Sequence, residues 1–293
     1  VKTKLFLLAL CLPLVAAGSP RIVTSIAPIH SIVSQIAEGV SEPQLLVSPE
    51  RSPHDFQLTP TQAQQMMQAD LVIWVGDGVE GFMHRFERRI DANAKLPLAG
   101  KVGELLALRD HGHDHGHDHG EYDQHIWLSV EKMQQVAKVV AEKLIRIDAQ
   151  NQSLYEANLA ATLAKLAQLD TDLSSKLADY QGQPYVVFHD AYQYFEQAYN
   201  LASVAAVMSP SRAGSSLARQ FELRKMLAEQ NVSCVFSEPQ FSDQQVQRLV
   251  GNSYTVAVLD PLGAEVEPGN NHYTQMMHAI ADSLVECLGA NNE

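Results

Sequence analysis

The chain has 293 residues, room for about two cores, and its 46% hydrophobic and 19% charged residues exclude a disordered or collagen-like polymer. Twenty-one basic residues against 34 acidic ones leave a formal charge of −13. An acidic surface of this kind repels phosphate backbones, so nucleic acid is excluded as the expected partner, while cations are attracted.

At the N-terminus Lys2 and Lys4 precede an apolar run from Leu5 to Val15, followed by Ala16, Ala17 and Gly18. That order predicts a secretory signal peptide over residues 1–17, cut after Ala17. The run is shorter than the ~20 apolar residues of a membrane span, and Leu10 stands where lipidation of Cys11 would need a small residue. The mature chain is therefore expected to be exported and not inserted in the membrane. It keeps Cys234 and Cys287, an even count that favours a disulfide in an oxidising compartment. Two thiolates on zinc is the competing reading.

From Arg21 onward, short apolar runs alternate with helical patterns, which predicts α/β architecture with parallel strands. Strands are expected at 22–26, 44–47 and 71–75, then at 185–188, 204–207, 232–236 and 255–259, with a helix at 217–230. Between these two groups Ser129 is placed to cap a helix running to about Arg146. A second helix is expected from Ser153 to Tyr180, a stretch without Gly or Pro in which Leu159, Leu163, Leu166, Leu169, Leu173 and Leu177 recur at helical spacing. At 1.5 Å per residue it is roughly 42 Å long, enough to join two lobes as a rigid rod. The expected organisation is an N-terminal lobe over 18–128, a helical segment over 129–182 and a C-terminal lobe over 183–293.

One segment, 110–123, reads DHGHDHGHDHGEYD and is predicted to be an exposed loop, because alternating Gly, His and Asp build no core. It carries His111, His113, His115, His117 and His119, five of the twelve histidines. Neutral imidazole is a common ligand for zinc, nickel and copper, and the interleaved carboxylates raise the local cation concentration. Ordering such a loop around an ion costs backbone entropy, so it suits capture better than selective binding.

Three other histidines are placed differently. His54 follows the second expected strand and His189 follows the strand at 185–188, while Asp260 follows the strand at 255–259. Ligands of open parallel sheets bind beyond the carboxyl ends of strands, so these residues can converge on one cleft. His125, at a loop-to-helix junction just before Ser129, is a fourth candidate. Three imidazoles and a carboxylate form a suitable tetrahedral zinc set. His30, His84, His272 and His278 lack such placement and are expected to be non-ligands.

The motifs SPHDFQLTP, ADLVIWVGDGVEGF, DQHIWLS and VVFHDAYQYFEQAYNL occur in that order, with the long helix between the last two. Over essentially the whole mature chain the sequence resembles zinc-specific periplasmic solute-binding proteins of ABC importers. The resemblance implies two lobes, each with a four-stranded, mostly parallel sheet, joined by one long rigid helix with the metal between them. It implies a monomer that captures Zn(II) in the periplasm and delivers it to a membrane permease. By position, the family's histidine ligands fall on His54, His125 and His189, and manganese-binding relatives carry a carboxylate where this chain has His189. The fourth ligand falls on Asp260 or water, because Pro53 occupies the position at which some zinc members carry Glu. The resemblance also supports pairing Cys234 with Cys287, places the histidine-rich loop near the cleft entrance, and matches Glu238 in FSEPQF to a family motif. Two other functions use the same residues: a zinc hydrolase, although no HExxH helix or G-x-S-x-G elbow is present, and a periplasmic zinc buffer that meets no transporter.

Overall fold

The computed structural model describes residues 18–109, 122–208, 224–225, 227–232, 234–241, 251 and 254–290. The expected signal peptide at 1–17 and the run His111–His119 lie outside these residues, as does most of the helix expected at 217–230, whose described residues 224–225 and 227–229 are helical.

Among the described residues, eight strands form two sheets. β1 (Ile22–Thr24), β2 (Gln44–Leu45), β3 (Leu71–Trp74) and β4 (Lys95–Pro97) pair in the order β2-β1-β3-β4, and every pairing is parallel. β5 (Pro184–His189), β6 (Ala202–Met208), β7 (Cys234–Ser237) and β8 (Thr255–Val258) repeat that arrangement as β6-β5-β7-β8, again parallel throughout. β3 and β7 are buried at every position, as expected of parallel strands covered on both faces. The short β4 gave no sequence signal, since only Leu96 of its three residues is buried.

Helix boundaries follow local chemistry. In α1 (Ala27–Ala37), Pro28 sits in the first turn, where its missing N–H is not needed, and Ile29, Ile32, Val33 and Ile36 enter the core. α2 (Pro60–Gln68) opens on a capping box: Thr59 Oγ1 accepts from Gln62 N at 3.3 Å, and Thr59 N donates to Gln62 Oε1 at 3.0 Å. The Gln62 amide also donates to Leu46 O at 2.7 Å, fastening α2 to the segment that leads to His54. α3 (Val130–Ile147) is capped by Ser129, whose Oγ accepts from Lys132 N at 3.2 Å.

The long helix is α4 (Gln152–Leu177), 26 residues followed by a 3-10 turn at Ala178–Tyr180. Its length is about 39 Å. Leu166, Leu169, Leu173 and Leu177 are buried along one stripe, while Leu159 and Leu163 are half-buried. α4 packs on α1 and α3, and also on α5 (Gln193–Tyr199) and α6 (His272–Gly289), so it touches both lobes and is the long element joining them. A disulfide links Cys234 of β7 to Cys287 of α6, with Cα atoms 6.0 Å apart. This pairing removes the alternative of a thiolate metal site. Among the described residues, no helix is long and apolar enough to cross a membrane.

Candidate metal centre

Each sheet reverses its winding at one point, between β1 and β3 in the first and between β5 and β7 in the second, and such crevices are where open α/β sheets present ligands. His189 is the last residue of β5, and Glu238 directly follows β7, so both stand at the second crevice. At the first crevice stands Glu80, which accepts hydrogen bonds from Val75 N (3.1 Å), Gly76 N (2.9 Å) and Ser25 Oγ. Burial pushes its carboxyl up to about 7, against the opposing pull of those donors. His54 lies instead in the turn after β2, where its N donates to Ser52 Oγ at 3.3 Å. His125 precedes a 3-10 turn at Ile126–Leu128 that leads into the Ser129 cap.

These three histidines meet. One ring nitrogen from each of His54, His125 and His189 lies within 4.8 Å of the others, and this trio is the cluster of ligand-type side chains found among the described residues. His125 Nε2 is 3.3 Å from His54 Nε2. A tetrahedral zinc with nitrogens at 2.0–2.1 Å spaces them about 3.3 Å apart, so this pair already has the separation of two zinc ligands. The trio borders a cavity of about 20 Å³ shared with Ser52, Trp127, Glu238 and Gln240. One water needs about 10–15 Å³, so this is space on the scale of an ion with one water.

Carboxylates orient two of the rings. Asp123 Oδ1 accepts from both His125 N (2.9 Å) and His125 Nδ1 (2.7 Å). A carboxylate only accepts, so the proton of neutral His125 sits on Nδ1 and the Nε2 lone pair faces the cavity. Glu238 Oε2 stands 3.4 Å from His189 Nδ1 and orients that ring in the same sense. Burial lowers the His189 pKa, but Glu238, by charge and hydrogen bond, and then Asp190 and Asp123 outweigh it, so the net shift is upward from 6.5. The centre therefore attracts positive charge, whether a proton or a metal ion. Replacing Asp123 with Asn, which offers the ring no full negative charge, is expected to lower zinc affinity by roughly 10–100-fold. Competition against a fluorescent chelator measures that loss.

The lobes are fastened around this point. Trp127 Nε1 donates to Pro261 O at 2.7 Å, and Tyr194 of α5 donates to Asp123 O at 2.6 Å. Arg109, at the near end of the histidine-rich segment, reaches Gln193 Oε1 (2.8 Å), Ser203 Oγ (3.0 Å) and the Glu196 carboxylate of the C-terminal lobe. Sequence reading missed Arg109 as an anchor. It also missed Asp123 as an orienting group, although the spacing of Asp123 from His125 was the available signal.

Asp260, expected as the fourth ligand, is not brought to the histidines. Its carboxylate accepts from Leu262 N (3.0 Å), Gly263 N (2.9 Å), Ala264 N and Gln240 Nε2 (3.1 Å), and so organises its own turn. That turn requires glycine at 263, where φ is +72° and a Cβ would meet the His272 ring at 2.8 Å. His272 is buried with both ring nitrogens near carbonyl oxygens, His30 Nε2 contacts Pro43 O at 3.0 Å, and exposed His84 stands 3.5 Å from Asp77. These three and His278 lie outside the cluster.

Comparison with known proteins sets the chain beside zinc-uptake proteins. The High-affinity zinc uptake system protein ZnuA of Brucella abortus is 32% identical over 321 residues, covering 97% of this chain and 96% of its own length. Its Yersinia pestis counterpart is 32% identical over 292 residues, covering 92% of each. Among solved structures, a zinc-bound ZnuA lacking residues 138–173 of its own chain superposes with a TM-score of 0.77 at 25% identity, covering 92% of this chain and 98% of that one. The periplasmic zinc-binding protein TroA of Treponema pallidum shares the fold with a TM-score of 0.80 at 22% identity, covering 92% and 99%. The family profile described as zinc-uptake complex component A, periplasmic (ZnuA), matches residues 22–287, and the chain belongs to that family.

Proposed function

We propose that the chain is a periplasmic receptor that captures Zn(II) between its lobes on His54, His125 and His189 and hands it to the membrane permease of an ABC importer, acting as a monomer and without catalysis. The observation that carries this reading is the convergence of three imidazoles from three separate segments on a cavity of about 20 Å³. Three nitrogen donors favour zinc over the harder manganese ion. The zinc uptake for which the curated relatives are named supports the same reading. A cavity of this size suits an ion. The run His111–His119 serves as an accessory that concentrates cations outside the selective centre.

Uptake of radiolabelled zinc by a deletion strain that lacks any other zinc importer tests delivery. Loss of uptake, restored by the wild-type chain but not by a His54→Ala chain, is expected. Undiminished uptake in the deletion strain would leave only the buffer role.

Acidity should oppose loading. Imidazole must be neutral to coordinate, and in the metal-free protein the His189 pKa is raised above 6.5. Zinc affinity is therefore expected to decline as pH falls through that raised value, beginning above 6.5 rather than at it. The linkage has the opposite sign for the metal-free protein. The stability it gains from the extra proton is complete below the unfolded-state value and is lost as pH rises through the raised one. Titration calorimetry from pH 5 to 8 reads the first effect, and an affinity constant across that range would contradict a site made of histidine.

A further inference from the structure

Gln240 borders the same cavity as the three histidines. Its Nε2 donates to Pro49 O at 2.9 Å, on the opposite lobe, and to Asp260 Oδ1 at 3.1 Å. A carbonyl and a carboxylate can only accept, so these two partners fix which end of the amide is nitrogen and hold its plane. The other end, Oε1, is buried and has no hydrogen-bond partner among the described residues. Leaving a buried acceptor unmatched costs about 1–3 kcal/mol, so the position calls for a donor.

The three imidazoles supply three corners of a zinc tetrahedron, and the fourth needs an oxygen or nitrogen. Asp260 is held by four N–H groups, one of them from Gln240 itself. Glu238 is committed to His189 Nδ1 and to the Tyr192 hydroxyl. We propose that a water completes the coordination sphere of zinc and donates a hydrogen bond to Gln240 Oε1, which makes Gln240 the positioning residue for the fourth ligand. The inference rests on the zinc site proposed above. A metal polarises its bound water and makes it a stronger donor than bulk water, so the contact matches a strong donor to the orphaned acceptor. Because the same amide grips Pro49 across the seam, filling the fourth position also firms the junction between the lobes. By holding Asp260 to its own turn, Gln240 keeps a carboxylate off the ion and preserves the ligand set that suits zinc.

The test uses the full chain, wild type and Gln240→Leu, titrated with zinc and with Co(II), whose visible spectrum reports the ligand set. Wild type is expected to bind one Co(II) at the histidines as a four-coordinate ion. In Gln240→Leu the same stoichiometry should persist with a changed spectrum and zinc affinity lowered by roughly 10-fold or more. A merely structural role would leave the spectrum unchanged. If wild type binds no ion at the histidines, the zinc-site reading itself fails; if it binds and the variant matches it in spectrum and affinity, only the role of Gln240 fails. A crystal structure of zinc-loaded wild type decides the point even should the variant not fold. Oε1 within hydrogen-bonding distance of a zinc-bound water upholds the assignment, and a metal-bound Asp260 carboxylate, or Oε1 itself on the metal, overturns it.

Discussion

Replacing His189 with alanine is expected to weaken zinc binding by more than about 100-fold, since groups that merely orient a ligand already cost 10–100-fold when removed. Deleting His111–His119 should, by contrast, leave one tight site. The two results follow from a difference in preorganisation. His189 is fixed by the end of β5 and by Glu238, with its ring centroid 4.9 Å from that of His125 and 5.3 Å from that of His54. An ion entering this trio finds three imidazoles in place, whereas a sequence alternating Gly, His and Asp is expected to lose backbone entropy in closing around an ion. Titration calorimetry on both variants gives the ranking, and the reverse order would refute the assignment of the selective site.

The second large effect concerns stability. The Cys234–Cys287 disulfide closes a loop with a sequence separation of 53 residues. In the chain-entropy account a loop of that size contributes about 4 kcal/mol. Both cysteines are buried, at 0% and 4% exposure, so the bond also ties α6 to β7 within the core. A Cys234→Ala/Cys287→Ala chain should therefore unfold at markedly lower urea concentration, with zinc stoichiometry retained under conditions in which it is folded. Equal urea midpoints would show that the bond constrains the unfolded chain far less than this account requires.

Much of the architecture was legible because it rests on buried apolar runs. LVIW and CVFS announce strands covered on both faces, and the leucines from Leu159 to Leu177 announce α4. β4 was not legible, since KLP has neither length nor alternation, and its place in the sheet is set by pairing with β3. At the metal centre the three histidines were readable from their place after strands or before a capped helix. Asp260 had the same placement and a different outcome. What separates it from His189 is the direction of a few backbone N–H groups at Leu262, Gly263 and Ala264, which no pattern of residue types encodes. Gln240 carried no signal for a similar reason: an amide does not titrate and is an uncommon ligand, and its importance comes from the two acceptors that fix its orientation.

The scattering of the three clustered histidines over distant segments has a kinetic consequence. His54, His125 and His189 are brought together by a fold of two sheets whose strands pair across long stretches of chain, the class of contact that forms slowly because loop closure precedes its reward. The run His111–His119, by contrast, keeps its imidazoles within nine residues of one another whether or not the chain has folded. During refolding with zinc present, metal bound early belongs to that run and competes with the native state, while the selective centre reports only the last docking of one lobe against the other. Zinc bound at His54, His125 and His189 is then a signal that folding is complete, and a chain lacking the run should show that signal without the earlier phase.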